Sequence, residues 1–316
     1  MLVKNKTLVI GAGFGGIASA LRMRALGHDV TIIDRLNNIG GRAQVFNKGK
    51  YKHDAGPTVI TAPFLFDELF SLFGEDRRNY LNFVPLNPWY RFYFDNGMEF
   101  DYASSIDEMN KEIAKFNLDD INNYKNLIKQ SEKIFEVGFE QLSDKPFTRF
   151  ADMIKVIPNL IKLKSFLTVS QLVNLYIKNK FLRRAFSIHP LLVGGNPFDT
   201  TSIYALIHFL ERKWGIYFCM GGTGKLVYEL KCLLERNNVK IILNTDIVNI
   251  NTKRGIATSA VSNNGDIYDC DRIIFNGDPP IFYEEILKTK KNFFLNKFKR
   301  EKYSMGLFVL FFGTKI

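Results

Sequence analysis

The sequence predicts an α/β fold, a parallel sheet with helices interrupted by a largely helical α+β insertion, and three observations carry that expectation. A short apolar run, Leu8-Val9-Ile10, leads into a glycine turn and a helix. A second helix, a strand, a hairpin and a buried strand follow between Leu226 and Phe275. Between these blocks the texture changes to aromatic strands and then to apolar, basic helices.

Leu8-Val9-Ile10 has the composition of a strand buried on both faces. It stops at Gly11-Ala12-Gly13-Phe14-Gly15-Gly16, with Gly11, Gly13 and Gly16 in the G-x-G-x-x-G positions. The first glycine permits the tight turn, the second lets backbone amides approach a pyrophosphate, and the third lets the helix sit close on the strand. Ile17 to Leu26 supplies that helix, whose N-terminus favours an anion, and Gly27 ends it. Val30-Thr31-Ile32-Ile33 is a second strand closing on Asp34, roughly 20 residues past the glycines, where an acid accepts hydrogen bonds from a ribose. The motif alone is short. Its order of strand, glycines, helix, strand and acid makes it a dinucleotide site of the Rossmann type. Ile39-Gly40-Gly41-Arg42-Ala43 favours FAD over NAD, because two glycines allow close backbone contact with a diphosphate that a guanidinium can bridge.

Composition bounds the alternatives. A chain of 316 residues, 46% hydrophobic, can bury a large core and divides into two domains. The formal net charge of +11 raises nucleic acid or an anionic membrane as partners. No zinc-finger spacing, helix-turn-helix signal or RNA-binding aromatic motif accompanies it, so no nucleic acid partner is expected. Cys219, Cys232 and Cys270 lack metal-ligand spacing and suit a reducing cytoplasm. Met1 to Leu21 has the outline of a signal peptide, but the glycine turn occupies its middle, and cleavage there would destroy the domain. No apolar run reaches the roughly 18 residues of a membrane span, so any membrane association is peripheral.

Beyond Arg42, Gln44 to Phe46 and Tyr51 to His53 form a hairpin, leading to the irregular loop Asp54-Ala55-Gly56-Pro57-Thr58-Val59. That loop either presents backbone to the flavin or is simply stiffened by its proline. Pro63 to Phe73 is an amphipathic helix. Tyr90 to Phe94 and Met98 to Tyr102 make an aromatic hairpin about Asn96-Gly97 that opens the second domain, and Ser105 to Phe116 and Asp119 to Leu142 are helical. Phe147 to Phe186 is helical, apolar and basic, with Ile154, Ile157 and Ile161 interleaved with Lys155, Lys162 and Lys164. Two readings stand open for it: helices packed on their own core, or a monotopic surface lying on anionic lipid.

Gly221-Gly222-Thr223-Gly224-Lys225-Leu226 superficially matches a nucleotide-triphosphate loop, but Leu226 has no hydroxyl for magnesium. Instead these glycines open the helix Leu226 to Arg236, followed by the strand Val239 to Leu243. Ile247 to Ile250, Ala257 to Ser262 and the buried strand Arg272 to Phe275 come next, with Asn263 to Asp266 as a hairpin turn, and this block is expected to extend the first sheet. The expected divisions are 1–85 and 213–280 for the cofactor domain, 86–212 for the substrate and membrane domain, and 281–316 for a returning substrate segment.

On Val9 to Gly16, Gly40 to Ala43, Asp54 to Thr61, Leu191 to Pro197, Ser202 to Tyr204, Gly221 to Leu226 and Leu307 to Leu310, the chain resembles the bacterial carotenoid desaturases of the phytoene desaturase type. These lie within the flavin amine-oxidase-like superfamily. The resemblance implies FAD, a lipophilic polyene substrate such as phytoene, desaturation toward lycopene, oxygen or a quinone as electron acceptor, and attachment to the inner face of the cell membrane. A carotenoid isomerase, another polyene oxidoreductase, or a non-catalytic isoprenoid binder would share the scaffold. The implied cofactor contacts are Gly11, Gly13, Gly15, Gly16, Asp34, Arg35, Gly40, Gly41, Arg42, Gly56, Pro57, Thr58, Ile247 and Asn276.

Desaturation removes a hydride and a proton; the flavin accepts the first and a protein group must take the second. Asp152 is the candidate for the proton, although Ala151 stands where the similar segment carries an arginine. Asp34 likewise stands where the similar enzymes often have glutamate. His28, His53, His189 and His208 form no ligand constellation, and no metal is expected. The resemblance also implies a longer chain with a second glycine-rich segment near its C-terminus. None is found here, and an inactive fragment is therefore a further possibility.

Overall fold

A computed structural model describes residues 5–142, 150–287, 304, 306 and 308–314, with the side chains of 150–153 outside the description. The chain divides into two compact units, Met1–Val84 with Phe218–Lys302, and Pro85–Tyr217 with Tyr303–Ile316. The sequence reading ended the insertion at residue 212 and began the returning segment at 281. In the structure Ile286 is buried against Leu8, Ile10 and Ile33, with Phe282 and Leu287 packed on the same cluster, so the segment 281–287 is anchored on the core of the first unit.

The first unit is built on a four-stranded parallel sheet ordered Lys240–Ile242, Asp29–Ile33, Lys6–Ile10, Arg272–Phe275. Leu8, Val9, Ile10, Ile32 and Ile33 are all buried, as the unbroken apolar runs require of central parallel strands. The first crossover is the helix Phe14–Ala25, which starts three residues earlier than periodicity suggested because Gly15 and Gly16 themselves lie on it. Its buried face is Gly16, Ile17, Ala20 and Leu21, the spacing of one helical stripe. Past its end Gly27 has φ +87°, a left-handed turn suited to glycine.

The strands Ile247–Lys253, Ile256–Ser262 and Ile267–Asp269 do not extend this sheet as expected. They pair antiparallel as a separate three-stranded sheet. Their burial is intermittent rather than continuous, which suits a meander with one face on the core. That face supplies Ile247, Ile250 and Ala260 to the cluster containing Leu8, Ile10 and Ile33. At roughly 25 cal/mol per Å2 of apolar surface, such burial is the main force holding the two sheets together.

The second unit opens with the antiparallel hairpin Tyr90–Tyr93 and Glu99–Tyr102, whose Phe100 and Tyr102 are fully buried. Ser105 caps the helix Ile106–Ala114 by accepting from the Glu108 amide. The long helix Asp120–Phe135 buries Tyr124, Leu127, Ser131, Ile134 and Phe135. Asp120, also buried, accepts from the amides of Lys178 and Asn179 and so fixes the turn before the helix Lys180–Phe186. The helices Phe150–Lys162, Val169–Tyr176 and Leu206–Trp214 complete the helical region. The apolar run Leu307 to Phe312 reads from its composition as a strand; its described residues, 308–312, have no strand neighbour among the described residues and are not in regular structure. A strand exists only through its ladder partner.

Candidate functional site

The glycine turn is shaped by what a side chain would strike. A Cβ on Gly16 would lie 1.9 Å from the Gly11 carbonyl oxygen, so only glycine lets the helix sit this close to the strand end. Gly11 itself has φ +97° and donates its amide to Ile33 at 2.8 Å. The first intrahelical bond runs from the Ile17 amide to Gly13, leaving the amides of Phe14, Gly15 and Gly16 without intrahelical partners. No side chain caps this helix and its first turn contains no acid. The positive end of its dipole therefore has no charged partner from its own first turn, which favours an anion there.

Asp34 lies where the second strand ends, and it is 7% exposed. Its two carboxylate oxygens accept from the amides of Ala12 at 2.6 Å and Leu36 at 2.9 Å. Each oxygen keeps a second lone pair, which suits a ribose hydroxyl donating to it. The Gly40–Gly41 segment is drawn onto the turn by the Gly40 amide, which donates to Ala12 at 2.8 Å. Gly13 and Gly40 also form an isolated parallel bridge. A Cβ on Gly41 would be 3.0 Å from the Gly13 Cα. Two glycine segments thus pack backbone to backbone. Arg35 and Arg42 are both exposed and make no ion pair among the described residues, which leaves either guanidinium able to reach a phosphate.

The remaining expected contacts distribute unevenly. Asn276 is brought onto the turn: its amide donates to Ile10 at 2.8 Å, and its side chain lies over Gly13, Gly15 and Gly16. Gly56 approaches Arg42 so closely that a Cβ would stand 2.3 Å from the Arg42 carbonyl oxygen, while Pro57 and Thr58 are exposed beyond it. The side chain of Ile247 instead points into the core cluster, so any contact it makes with a cofactor is through its backbone. Asp152 lies on the helix Phe150–Lys162, and its side chain is outside the described residues. The turn, the buried acid and the close glycine pair fit a dinucleotide diphosphate, which Gly13 to Gly16 would hold, with Asp34 toward the ribose.

Sequence reasoning did not anticipate what holds the Asp54 loop. The Asp54 carboxylate accepts from the amides of Thr223 at 2.8 Å and Gly224 at 3.2 Å, at the start of the helix Gly222–Arg236. The Thr223 hydroxyl donates to the Pro57 carbonyl. The available signal was the Gly221 to Gly224 cluster, whose glycines make room for this contact.

In the second unit the histidines are structural. His208 donates through Nε2 to the Phe186 carbonyl at 2.9 Å, so its Nδ1 accepts from the Tyr102 hydroxyl at 3.0 Å. Arg212 donates to Tyr124 at 2.9 Å and to the Ser104 carbonyl at 2.7 Å. Glu211 receives Tyr90 at 2.7 Å and lies 2.9 Å from His189 Nε2. Burial, the His189 ring and the Arg212 charge together hold the His208 imidazole well below its ordinary pKa. Burial, then Tyr124, pushes the Tyr102 phenol up, and burial raises Tyr124 as well. No group of three or more His, Cys, Asp or Glu side chains among the described residues is arranged to hold a metal.

The family profile of flavin containing amine oxidoreductases matches residues 14–315. The chain belongs to that family. The cofactor this implies is FAD, as the glycine segments suggested. A lycopene-forming phytoene desaturase from Paracoccus sp. is 38% identical over 310 residues, covering 98% of this chain and 62% of its own. One from Pseudescherichia vulneris is 38% identical over 314 residues, covering 98% and 63%. The chain therefore spans about 62% of the length of the curated relatives it matches. A solved structure from Pyrococcus furiosus shares the fold, with a TM-score of 0.66 at 17% identity, covering 94% of this chain and 66% of that one.

Proposed function

We propose that the chain carries the FAD-binding part and the inserted unit of a carotenoid desaturase that introduces double bonds into phytoene toward lycopene. The observation that carries this reading is the 38% identity to lycopene-forming phytoene desaturases across 98% of the chain. An open helix N-terminus and a buried ribose acid in the first unit agree with it. Bound FAD supplies the two-electron acceptor for the hydride. The chain's own residues bind and orient: Phe14 to Gly16 offer amides to the diphosphate, Asp34 accepts from the ribose, and Arg35 and Arg42 supply cations at the rim. Asp152 takes the proton released from the neighbouring carbon, with oxygen or a quinone as the final acceptor.

We assign the membrane face to the helix Phe150–Lys162 and the turn after it. Ile154, Ile157, Ile161 and Phe166 are 46–73% exposed beside Lys155 and Lys162, a combination suited to the surface of anionic lipid. Among the described residues no helix is long and apolar enough to cross a membrane. The test is incubation with FAD and phytoene in anionic vesicles, followed by chromatography with absorption detection. Products with longer conjugation support desaturation. Products with an unchanged double-bond count would assign the chain to isomerisation instead.

A further inference from the structure

Two helices of the first unit begin at glycine clusters, and their ends are completed differently. Phe14–Ala25 has no side-chain cap. Gly222–Arg236 starts at Gly221, in the left-handed region at φ +90°, and has no cap from its own sequence either. Its free amides are met by Asp54, 169 residues away from Thr223 in the chain. A carboxylate is the strongest partner such amides can have, because it answers both the unsatisfied N–H groups and the positive end of the helix dipole.

The glycines around this contact are explained by it. Gly222 has φ +76°, and its Cβ would fall 2.1 Å from Asp54 Oδ2. A Cβ on Gly224 would meet the Val45 side chain at 2.6 Å. One turn further along the same helix, Val227 lies against Gly40, whose Cβ would be 3.1 Å away. The start of one helix therefore gathers both segments assigned to the flavin, the Gly40 to Arg42 run and the Asp54 to Thr58 loop.

Resting on the FAD reading above, we infer that Asp54 is a positioning residue for the cofactor site. Its carboxylate acts as an internal anion that fills the second glycine-rich helix start and pins Gly56, Pro57 and Thr58 beside Arg42. The first helix start stays open for the cofactor diphosphate, and the second is closed by the protein itself.

The experiment compares the wild-type chain with Asp54→Ala and Asp54→Asn by hydrogen exchange without flavin and by equilibrium dialysis with FAD. In Asp54→Ala, exchange at 222–226 and 55–59 rises about tenfold, as loss of a charged helix cap implies, and FAD affinity falls by a similar factor. Asp54→Asn, which keeps one acceptor oxygen, falls between the two. Formate restores protection to Asp54→Ala, whereas chloride at equal ionic strength does not. Unchanged exchange at 222–226 in both variants overturns the inference, as does rescue by chloride and formate alike. Should Asp54→Ala not fold, Asp54→Asn against wild type decides it by the same exchange readout. Wild-type protein that binds no FAD sinks the flavin reading, and the exchange comparison then supports or overturns the Asp54 clamp alone.

Discussion

Lowering the pH below 6.5 is expected to destabilise the second unit through one residue, His208. The ring is fully buried, 4.0 Å from the His189 ring between centroids, packs on Tyr102 and Phe186, and feels the charge of Arg212, with Glu211 on its own helix. Its Nδ1 already accepts from Tyr102, so a second proton would force that hydroxyl to turn and accept, and would put a buried cation within reach of the Arg212 charge. The folded-state pKa is therefore depressed below the ordinary 6.5. Between the two values the unfolded chain binds a proton that the folded chain does not. Stability is thus full above about pH 6.5 and declines by roughly 1.4 kcal/mol per pH unit below it, until the folded pKa is reached. The total loss grows with the gap between 6.5 and the depressed folded value. His208→Gln keeps a donor for Phe186 and an acceptor for Tyr102 without titrating. Both tryptophans, Trp89 and Trp214, lie in this unit, so denaturation followed by their fluorescence reports on it. The wild type should lose stability relative to His208→Gln progressively as the pH falls from about 7.5 to about 5. Parallel pH dependences would refute the reasoning.

Three other perturbations separate the parts of the account. Gly16→Ala forces a methyl against the Gly11 carbonyl and should cost about 1–3 kcal/mol with loss of bound FAD, whereas Gly27→Ala, with open space around it, should cost about 1–2 kcal/mol from backbone strain alone and leave FAD binding intact; thermal melts with and without FAD distinguish them. Asp34→Asn presents an amino group where a carboxylate received two amides, and should weaken FAD binding by about tenfold or more, read by dialysis. Ile157→Glu with Ile161→Glu should reduce cosedimentation with anionic vesicles severalfold while leaving the fluorescence melt unchanged, since both side chains are exposed.

Much of the first unit was legible because its elements are local. The strand, glycine turn, helix and acid occupy one short stretch, and each residue type answers a backbone need there. The later meander was misassigned to the parallel sheet because Ile247 to Ile250 reads equally well in either sheet; only its pairing with Ile256–Ser262 decides, and pairing is non-local. The same reason hid the role of Asp54, whose partner amides are 169 and 170 residues distant. Gly222 and Gly224 could be recognised as unusual from sequence, but the carboxylate that needs their missing side chains could not. In the second unit, apolar periodicity marks Phe147 to Phe186 as helical but not its division into three helices, whose starts after residue 162 are set by the caps Thr168 and Asn179. The buried His208, Tyr102, Tyr124 and Arg212 chain draws on several elements and has no signature in any of them.

The central claim is that the first unit binds FAD through the open start of the helix Phe14–Ala25 and the Asp34 carboxylate. Its most direct measurement is the absorption spectrum of the purified chain after incubation with FAD and desalting, with Gly16→Ala as the control. The account predicts a retained, shifted flavin spectrum at one flavin per chain, absent from the control. Flavin lost on desalting from both proteins, or retained equally by both, would contradict it.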